Sequence, residues 1–235
     1  MTTLLFVPAR KGSTEIIGKN FKKLNGLPLI HYTLKLCKKF SKKFPLFVST
    51  DSLKIKKYAK KFGFRENYLR PKKLSTSKSN VVDSIIHGVE WLKKNNVKIE
   101  EIVLLQPTSP LRKYRDLFKA YQLYKKKKLK SLISVSKVSE NSLGHIEILK
   151  KKKWKFLYKR KKGVFRRQDY ANNHYIVNGA FYIFNYEYLK KNKTVVKENQ
   201  TYLYETDRLS SIDIDSKSDF QLAELIIKNK KISLI

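Results

Sequence analysis

Four short stretches of this chain carry residues suited to chemistry. The first is Val7-Pro8-Ala9-Arg10-Lys11-Gly12-Ser13-Thr14-Glu15-Ile16-Ile17-Gly18-Lys19-Asn20, which follows the apolar run Leu4-Leu5-Phe6-Val7. A loop with two glycines and three cationic side chains directly after a buried strand can hold a polyphosphate. Its backbone N–H groups turn inward, and Arg10 and Lys19 add charge-assisted bonds. The second stretch is Ser211-Ile212-Asp213-Ile214-Asp215. Read as a short strand, it sends both carboxylates to one face. Two carboxylates so placed can share one Mg²⁺, a hard ion that takes oxygen ligands and bridges to phosphates. A plainer role fits the same place, because Asp215 or Ser216 can cap a helix starting near Lys217. The remaining two are Ser49-Thr50-Asp51 and Gln106-Pro107-Thr108-Ser109, each at the end of an apolar run. Asp51 likewise suits a helix cap as well as a catalytic role.

These stretches need a scaffold that brings strand ends together. Over the first half of the chain, strand and helix patterns alternate, which predicts an α/β fold with a mostly parallel sheet and helices on both faces. Strands are expected at Leu4 to Ala9, Leu46 to Thr50, Ile102 to Gln106 and Ser131 to Val135, with the sheet resuming at Gly179 to Phe184. Helices are expected at Pro28 to Lys43, Ser52 to Phe62, Ser79 to Lys94, Tyr114 to Lys126 and Lys217 to Lys228. In such a sheet, ligands bind beyond the carboxyl ends of the strands, where all four stretches fall. Between 136 and 176 the pattern changes to short alternating runs separated by lysines. That segment reads as an arm inserted into a single domain spanning 1–235, and as a dimer contact.

Composition narrows the field further. With 235 residues and 41% hydrophobic content, the chain can build a sizeable core. One cysteine, Cys37, excludes a disulfide framework and a cysteine-based zinc site, and fits a reducing cytoplasm. The first apolar stretch is too short for a signal peptide, and no run reaches the length of a membrane span. The net charge of +34 suggests nucleic-acid binding at first sight. Yet only nine of the 53 basic residues are arginine, and the lysines are spread along the chain instead of forming one groove. The charge therefore reads as compositional, with no specific nucleic-acid partner, although it speeds the encounter with an anionic substrate.

Taken in order, Pro8-Ala9-Arg10, Gly18-Lys19-Asn20, Ser49-Thr50-Asp51, Leu69-Arg70-Pro71, Leu104-Leu105-Gln106-Pro107-Thr108-Ser109-Pro110-Leu111-Arg112, Arg166-Arg167-Gln168-Asp169, Asn178-Gly179-Ala180-Phe181-Tyr182 and Ser211-Ile212-Asp213-Ile214-Asp215 form a pattern. It resembles the acylneuraminate cytidylyltransferases, the CMP-sialic acid synthetase family, from about residue 3 to 227. The resemblance implies a Rossmann-like nucleotidyltransferase fold with a protruding dimerisation arm. It also implies a reaction, in which CTP and a nine-carbon 2-keto acid sugar give the CMP-sugar and pyrophosphate. Such a transfer needs positioning and charge neutralisation more than covalent help.

By the same resemblance, Arg10, Ser13 and Lys19 hold the CTP phosphates, and Asn20 and Arg70 contact the cytosine and its surroundings. Asp213 and Asp215 hold Mg²⁺, with Arg10, Lys19 and Asp213 closest to the chemistry. Gln106, Arg167, Gln168 and Asn178 recognise the sugar. His31 and His87 belong to helices and are expected to pack, leaving no histidine base. The chain departs from the family's phosphate loop at Lys11, Thr14 and Glu15, where glycine, lysine and glycine are usual. Ile176 stands where some sialic acid enzymes have an arginine, and the Arg-Arg-Gln-Asp form is closer to enzymes acting on legionaminate. An eight-carbon keto acid sugar is the alternative acceptor, and a basic nucleic-acid-binding protein without catalysis is the alternative class.

Overall fold

The computed structural model describes residues 2–13, 15–138, 145–148, 153–158 and 174–229. In chain order the elements are β1 (Thr3–Pro8), β2 (Lys23–Leu24), β3 (Leu27–Pro28), α1 (Leu29–Lys38), β4 (Leu46–Ser49), α2 (Leu53–Lys60), α3 (Val81–Lys94), β5 (Glu101–Leu104), α4 (Tyr114–Lys126), β6 (Ser131–Lys137), β7 (Ile146–Ile148), β8 (Trp154–Phe156), β9 (Tyr175–Asn185), α5 (Tyr186–Asn192), β10 (Tyr202–Glu205) and α6 (Lys217–Lys228). Six strands form one sheet in the order β10-β6-β9-β5-β1-β4. Only β9 runs against the others.

The strands are apolar on both faces because both faces are covered. Successive side chains alternate, so Leu5 and Val7 enter the layer under α1, α2 and α4, with Ile30, Leu34, Ile55, Ala59, Leu117 and Ala120. Leu4 and Phe6 enter the opposite layer with Phe47, Ile85, Val89 and Leu189, under α3 and α5. Full burial of one such aromatic or aliphatic side chain contributes roughly 1.5–3 kcal/mol. A third, smaller cluster seats α6 through Phe220 and Ala223 against Ile16, Leu24, Leu29 and Ile214.

This arrangement creates the crevice. From β1 the chain goes through α1 to β4 on one side, then through α3 to β5 on the other side of β1. The connecting helices change face at that point, so the loops after β1 and β5 part and leave a gap between them, as at the switch point of other open α/β sheets.

Two readings of the sequence need correction. The 211–215 segment is not a strand; it is irregular chain leading into α6, held to the loop after β5 by the Ile214 N–H donating to the Thr108 carbonyl at 2.8 Å. The edge strand β10 was not foreseen; it lies parallel to β6. Of the 136–176 segment, the described part includes the small antiparallel pair β7–β8.

Candidate active site

A cleft of about 390 Å³ opens between the loops after β1 and β5. Arg10, Ser13, Lys19, Asn20, Arg70, Gln106, Asp213 and Asp215 all line it. Eight of the expected site residues, drawn from four separate parts of the chain, thus meet in one place. Arg167 and Gln168 lie outside the described residues, as does Thr14.

The phosphate-type loop is shaped by its second glycine. Gly18 has φ +65°, a conformation that side-chain-bearing residues adopt at a cost, and it starts the one-turn helix Lys19–Phe21. That turn points Lys19 into the cleft, where Nζ donates to the Ile214 carbonyl at 2.8 Å and to Asp215 Oδ1 at 3.0 Å. Asn20 is buried and donates through Nδ2 to the Arg10 carbonyl at 2.9 Å, which fixes the base of the loop. Asp51 Oδ1 accepts from the Lys11 N–H at 2.6 Å and braces the same loop from outside. The cap of α2 is the neighbouring Ser52, whose Oγ accepts from the Ile55 N–H.

Arg70 is 6% exposed and stands on the end of β4. Its Nε donates to Ser49 Oγ at 2.9 Å and its Nη2 to the Ser49 carbonyl. Burial pushes its pKa down, and the nearby Arg10 adds to that. Arg10 donates to the Thr76 carbonyl and so ties the 71–80 loop across the cleft mouth.

Asp213 sits low in the cleft. Its Oδ1 is buried without a hydrogen-bond partner. Burial pushes its carboxyl pKa up and Asp215 adds to this, while the positive charges of Lys19 and Arg112 pull the other way. Asp215 is much more open, with 73% of its side chain exposed. Gly179, with φ +71°, leaves room here: a Cβ on it would stand 3.4 Å from Asp213 Oδ2. Among the described residues no group of three or more Asp, Glu, His or Cys side chains forms a full metal cage. Two hard carboxylates, one with a buried oxygen lacking a partner, still fit a divalent ion that completes its shell with phosphate oxygens and water.

Asn178 has a different placement from the other expected contacts. Its Oδ1 accepts from Ser134 Oγ at 2.7 Å and from the Ala180 N–H at 3.1 Å; its Nδ2 donates to Thr206 Oγ1 at 2.8 Å and Ser211 Oγ at 2.9 Å. All four hydrogen-bonding positions of the amide are occupied by the protein. Asn178 thus joins β6, β9 and the segment that leads to Asp213. His31 and His87 pack as expected, against the hydroxyls of Tyr58 and Tyr68. Ser216 and Asp219 form a capping box for α6, so Asp215 is not the cap.

The sequence did not single out the wall facing the basic loop. Leu74, Ser79, Val81 and Ser84 form it, from the 71–80 loop and the start of α3. The only signal for it was a serine-rich loop before a helix, which many surfaces share. Glu15 also lines the cleft.

A sequence model of the family described as Cytidylyltransferase matches residues 4–232. The chain belongs to the cytidylyltransferase family. The CMP-N,N'-diacetyllegionaminic acid synthase of Legionella pneumophila is 31% identical to it over 246 residues, covering 100% of both chains. The N-acylneuraminate cytidylyltransferase of Streptococcus agalactiae is 31% identical over 224 residues, which are 94% of this chain and 52% of that relative. Among solved structures, CMP:2-keto-3-deoxy-manno-octonic acid synthetase complexed with CTP matches with a TM-score of 0.69 at 15% identity, covering 98% of this chain and 100% of that one. At that identity the likeness is one of fold, and it extends over the whole sheet. No helix among the described residues is long and apolar enough to cross a membrane.

Proposed function

We propose that this cytidylyltransferase transfers CMP from CTP to the anomeric hydroxyl of a nine-carbon nonulosonic acid of the legionaminate type, releasing pyrophosphate. The observation that carries this reading is the cleft itself. It gathers Arg10, Lys19 and Arg70 together with Asp213, Asp215 and Gln106 at the strand ends of a cytidylyltransferase fold. The full-length likeness to a legionaminic acid synthase supports the choice of acceptor.

In this reading the chain works by placement and charge. Arg10 and Lys19 bind the triphosphate and stabilise the charge that builds on the α-phosphate. Arg70, fixed rigidly on Ser49, and Asn20 receive the cytidine, with Ser79 and Ser84 on the facing wall. Gln106 receives the sugar. Asp213 and Asp215 would hold Mg²⁺, which supplies charge neutralisation on the phosphates and acidifies the attacking hydroxyl. The chain's surplus of positive charge raises the encounter rate with a substrate pair that is anionic on both sides.

The working form in this reading is a homodimer joined through the 136–176 arm. Ile146 and Ile148 on β7 are exposed along one face. The Glu147–Lys155 ion pair, at 3.0 Å, marks the other. A small two-stranded sheet that exposes Ile146 and Ile148 gains most from a second copy.

The direct test is product identity. Mass spectrometry of the mixture after incubation with CTP, Mg²⁺ and legionaminate should find the CMP-sugar. Recovery of unreacted sugar under conditions where the protein is folded would refute the reading.

A further inference from the structure

Among the described residues, five buried side-chain polar atoms have no hydrogen-bond partner. Four of them, Thr108 Oγ1, Ser109 Oγ, Arg112 Nε and Asp213 Oδ1, belong to the loop after β5 and to the 211–215 segment held against it. The charged donor among them is Arg112, which is 3% exposed. Its Nη1 donates to Thr33 Oγ1 on α1 at 3.0 Å, and its Nη2 donates to the Gln106 carbonyl.

Those two bonds have a reach beyond the arginine. The Gln106 carbonyl also accepts from the Ser109 N–H, and the Thr108 carbonyl accepts from the Ile214 N–H at 2.8 Å. One guanidinium therefore anchors to α1 the loop that carries Gln106, and that loop in turn holds the backbone beside Asp213. Burying a cation is costly unless its hydrogen bonds are made, and here the guanidinium makes two. The chain also uses lysine almost everywhere it needs a positive charge, with arginine at only nine of 53 basic positions. A lysine could not make two divergent bonds from one rigid plane. The site thus keeps an expensive residue for its geometry.

We propose that Arg112 is a positioning residue for the reaction: it sets Gln106 and Asp213 at the places that the acceptor and the triphosphate require. This rests on the proposed function for what occupies the cleft, but not for the bracing itself. Among the described residues the Arg112 guanidinium donates to Thr33 and Gln106 and to no residue of the loop after β1, so metal-free CTP affinity should be independent of it.

The experiment is Arg112→Lys, read in three ways beside the wild type. Amide hydrogen exchange should quicken at Ser109 and Ile214 and stay unchanged in α3. The Kd for CTP, measured calorimetrically without metal, should hold within about twofold, because the basic loop is untouched. Turnover with CTP and the acceptor should show kcat lowered about ten- to a hundredfold, the scale of a small misplacement of reacting groups. Unchanged exchange at Ser109 and Ile214 would overturn the proposal whatever the activity. Faster exchange with kcat and acceptor KM unmoved would also overturn it, as would a loss of CTP affinity together with faster exchange throughout the fold. A wild type that turns over no nonulosonic acid would refute the proposed function, and the exchange result would then judge Arg112 alone. If Arg112→Lys fails to fold, Thr33→Val removes one of the two anchors at nearly constant volume. It should give the same pattern at smaller size, and wild-type exchange in Thr33→Val would overturn the proposal.

Discussion

The Lys19 ammonium lies 3.0 Å from Asp215 Oδ1, joining the loop after β1 to the entry of α6 across the cleft. The same nitrogen reaches the Ile214 carbonyl, so the cation of the loop after β1 rests on the carboxylate side of the cleft. Asp215 is largely exposed while Lys19 is not. An ion pair with one solvated partner adds only about 0.2–1 kcal/mol to stability. In the proposed function Lys19 instead serves the triphosphate.

Lys19→Met should therefore separate activity from stability. Thermal unfolding should move little, by the equivalent of less than about 1 kcal/mol. The kcat/KM for CTP should fall about 10²–10³-fold, the usual loss when one donor to a developing oxyanion is removed. Steady-state kinetics and a melting curve on the same sample check both halves, and equal modest losses in each would contradict the role.

Asp207 gives a pH dependence that does not involve the reacting groups. Burial opposes its ionisation, but Lys113 Nζ at 2.8 Å, Ser210 Oγ at 2.7 Å and the Ser210 N–H at 3.0 Å outweigh that and hold its pKa down to about 2. A depressed carboxyl stabilises the fold above its ordinary value of 3.8, and this support disappears as pH falls toward 2. The pair is about two-fifths exposed, which limits its worth. Asp207→Asn should lower Tm by no more than about 2–4 °C at pH 7. The difference from wild type should shrink steadily below pH 4.

The sequence showed the scaffold best where periodicity was strong. The helices Tyr114–Lys126 and Lys217–Lys228 have the bounds their apolar spacing predicts. Strands β1, β4 and β5 were visible from the apolar runs at their centres, and β6 from apolar residues interrupted by small serines, because both faces are buried. The edge strand β10 was not, because Tyr202 and Tyr204 are only partly buried and Leu203 is exposed. The alternation in Ile212-Asp213-Ile214-Asp215 mimics a strand, but it arises because Ile214 packs on α6 through Phe220 while the aspartates turn to the cleft. The charged residues that line the cleft lie in short motifs and so were visible in the sequence. The four partners that surround the Asn178 amide were not, since a motif gives no view of them. The serine wall of Ser79 and Ser84 carried no distinctive signal.

Gly88 tests the packing that holds α3 on the sheet. A Cβ there would stand 2.8 Å from Phe47 Cε1 and 3.0 Å from Phe6 Cε2, both on fully buried rings. Gly88→Ala gains slightly in helix propensity but overpacks the layer. A net loss of about 1–3 kcal/mol is expected in denaturant unfolding, with kinetics of the folded fraction unchanged. A more stable variant would show that the α3 layer can give way.

The apolar face of β7 provides a test of assembly. Ile148 is 69% exposed in the single chain. Ile148→Asp should shift sedimentation from dimer to monomer at micromolar concentration, with no change in circular dichroism. A wild type that sediments as a monomer would remove the arm's proposed purpose.

The central claim is tested most directly by pyrophosphate release with Mg²⁺. Each of the four nucleoside triphosphates should be paired with legionaminate, N-acetylneuraminate and an eight-carbon keto acid sugar, with Asp213→Ala as the control. The account predicts release with CTP and a nonulosonic acid, strongest with legionaminate, and none in the Asp213→Ala variant. Release with another nucleotide, preference for the eight-carbon sugar, or activity that survives Asp213→Ala would contradict it.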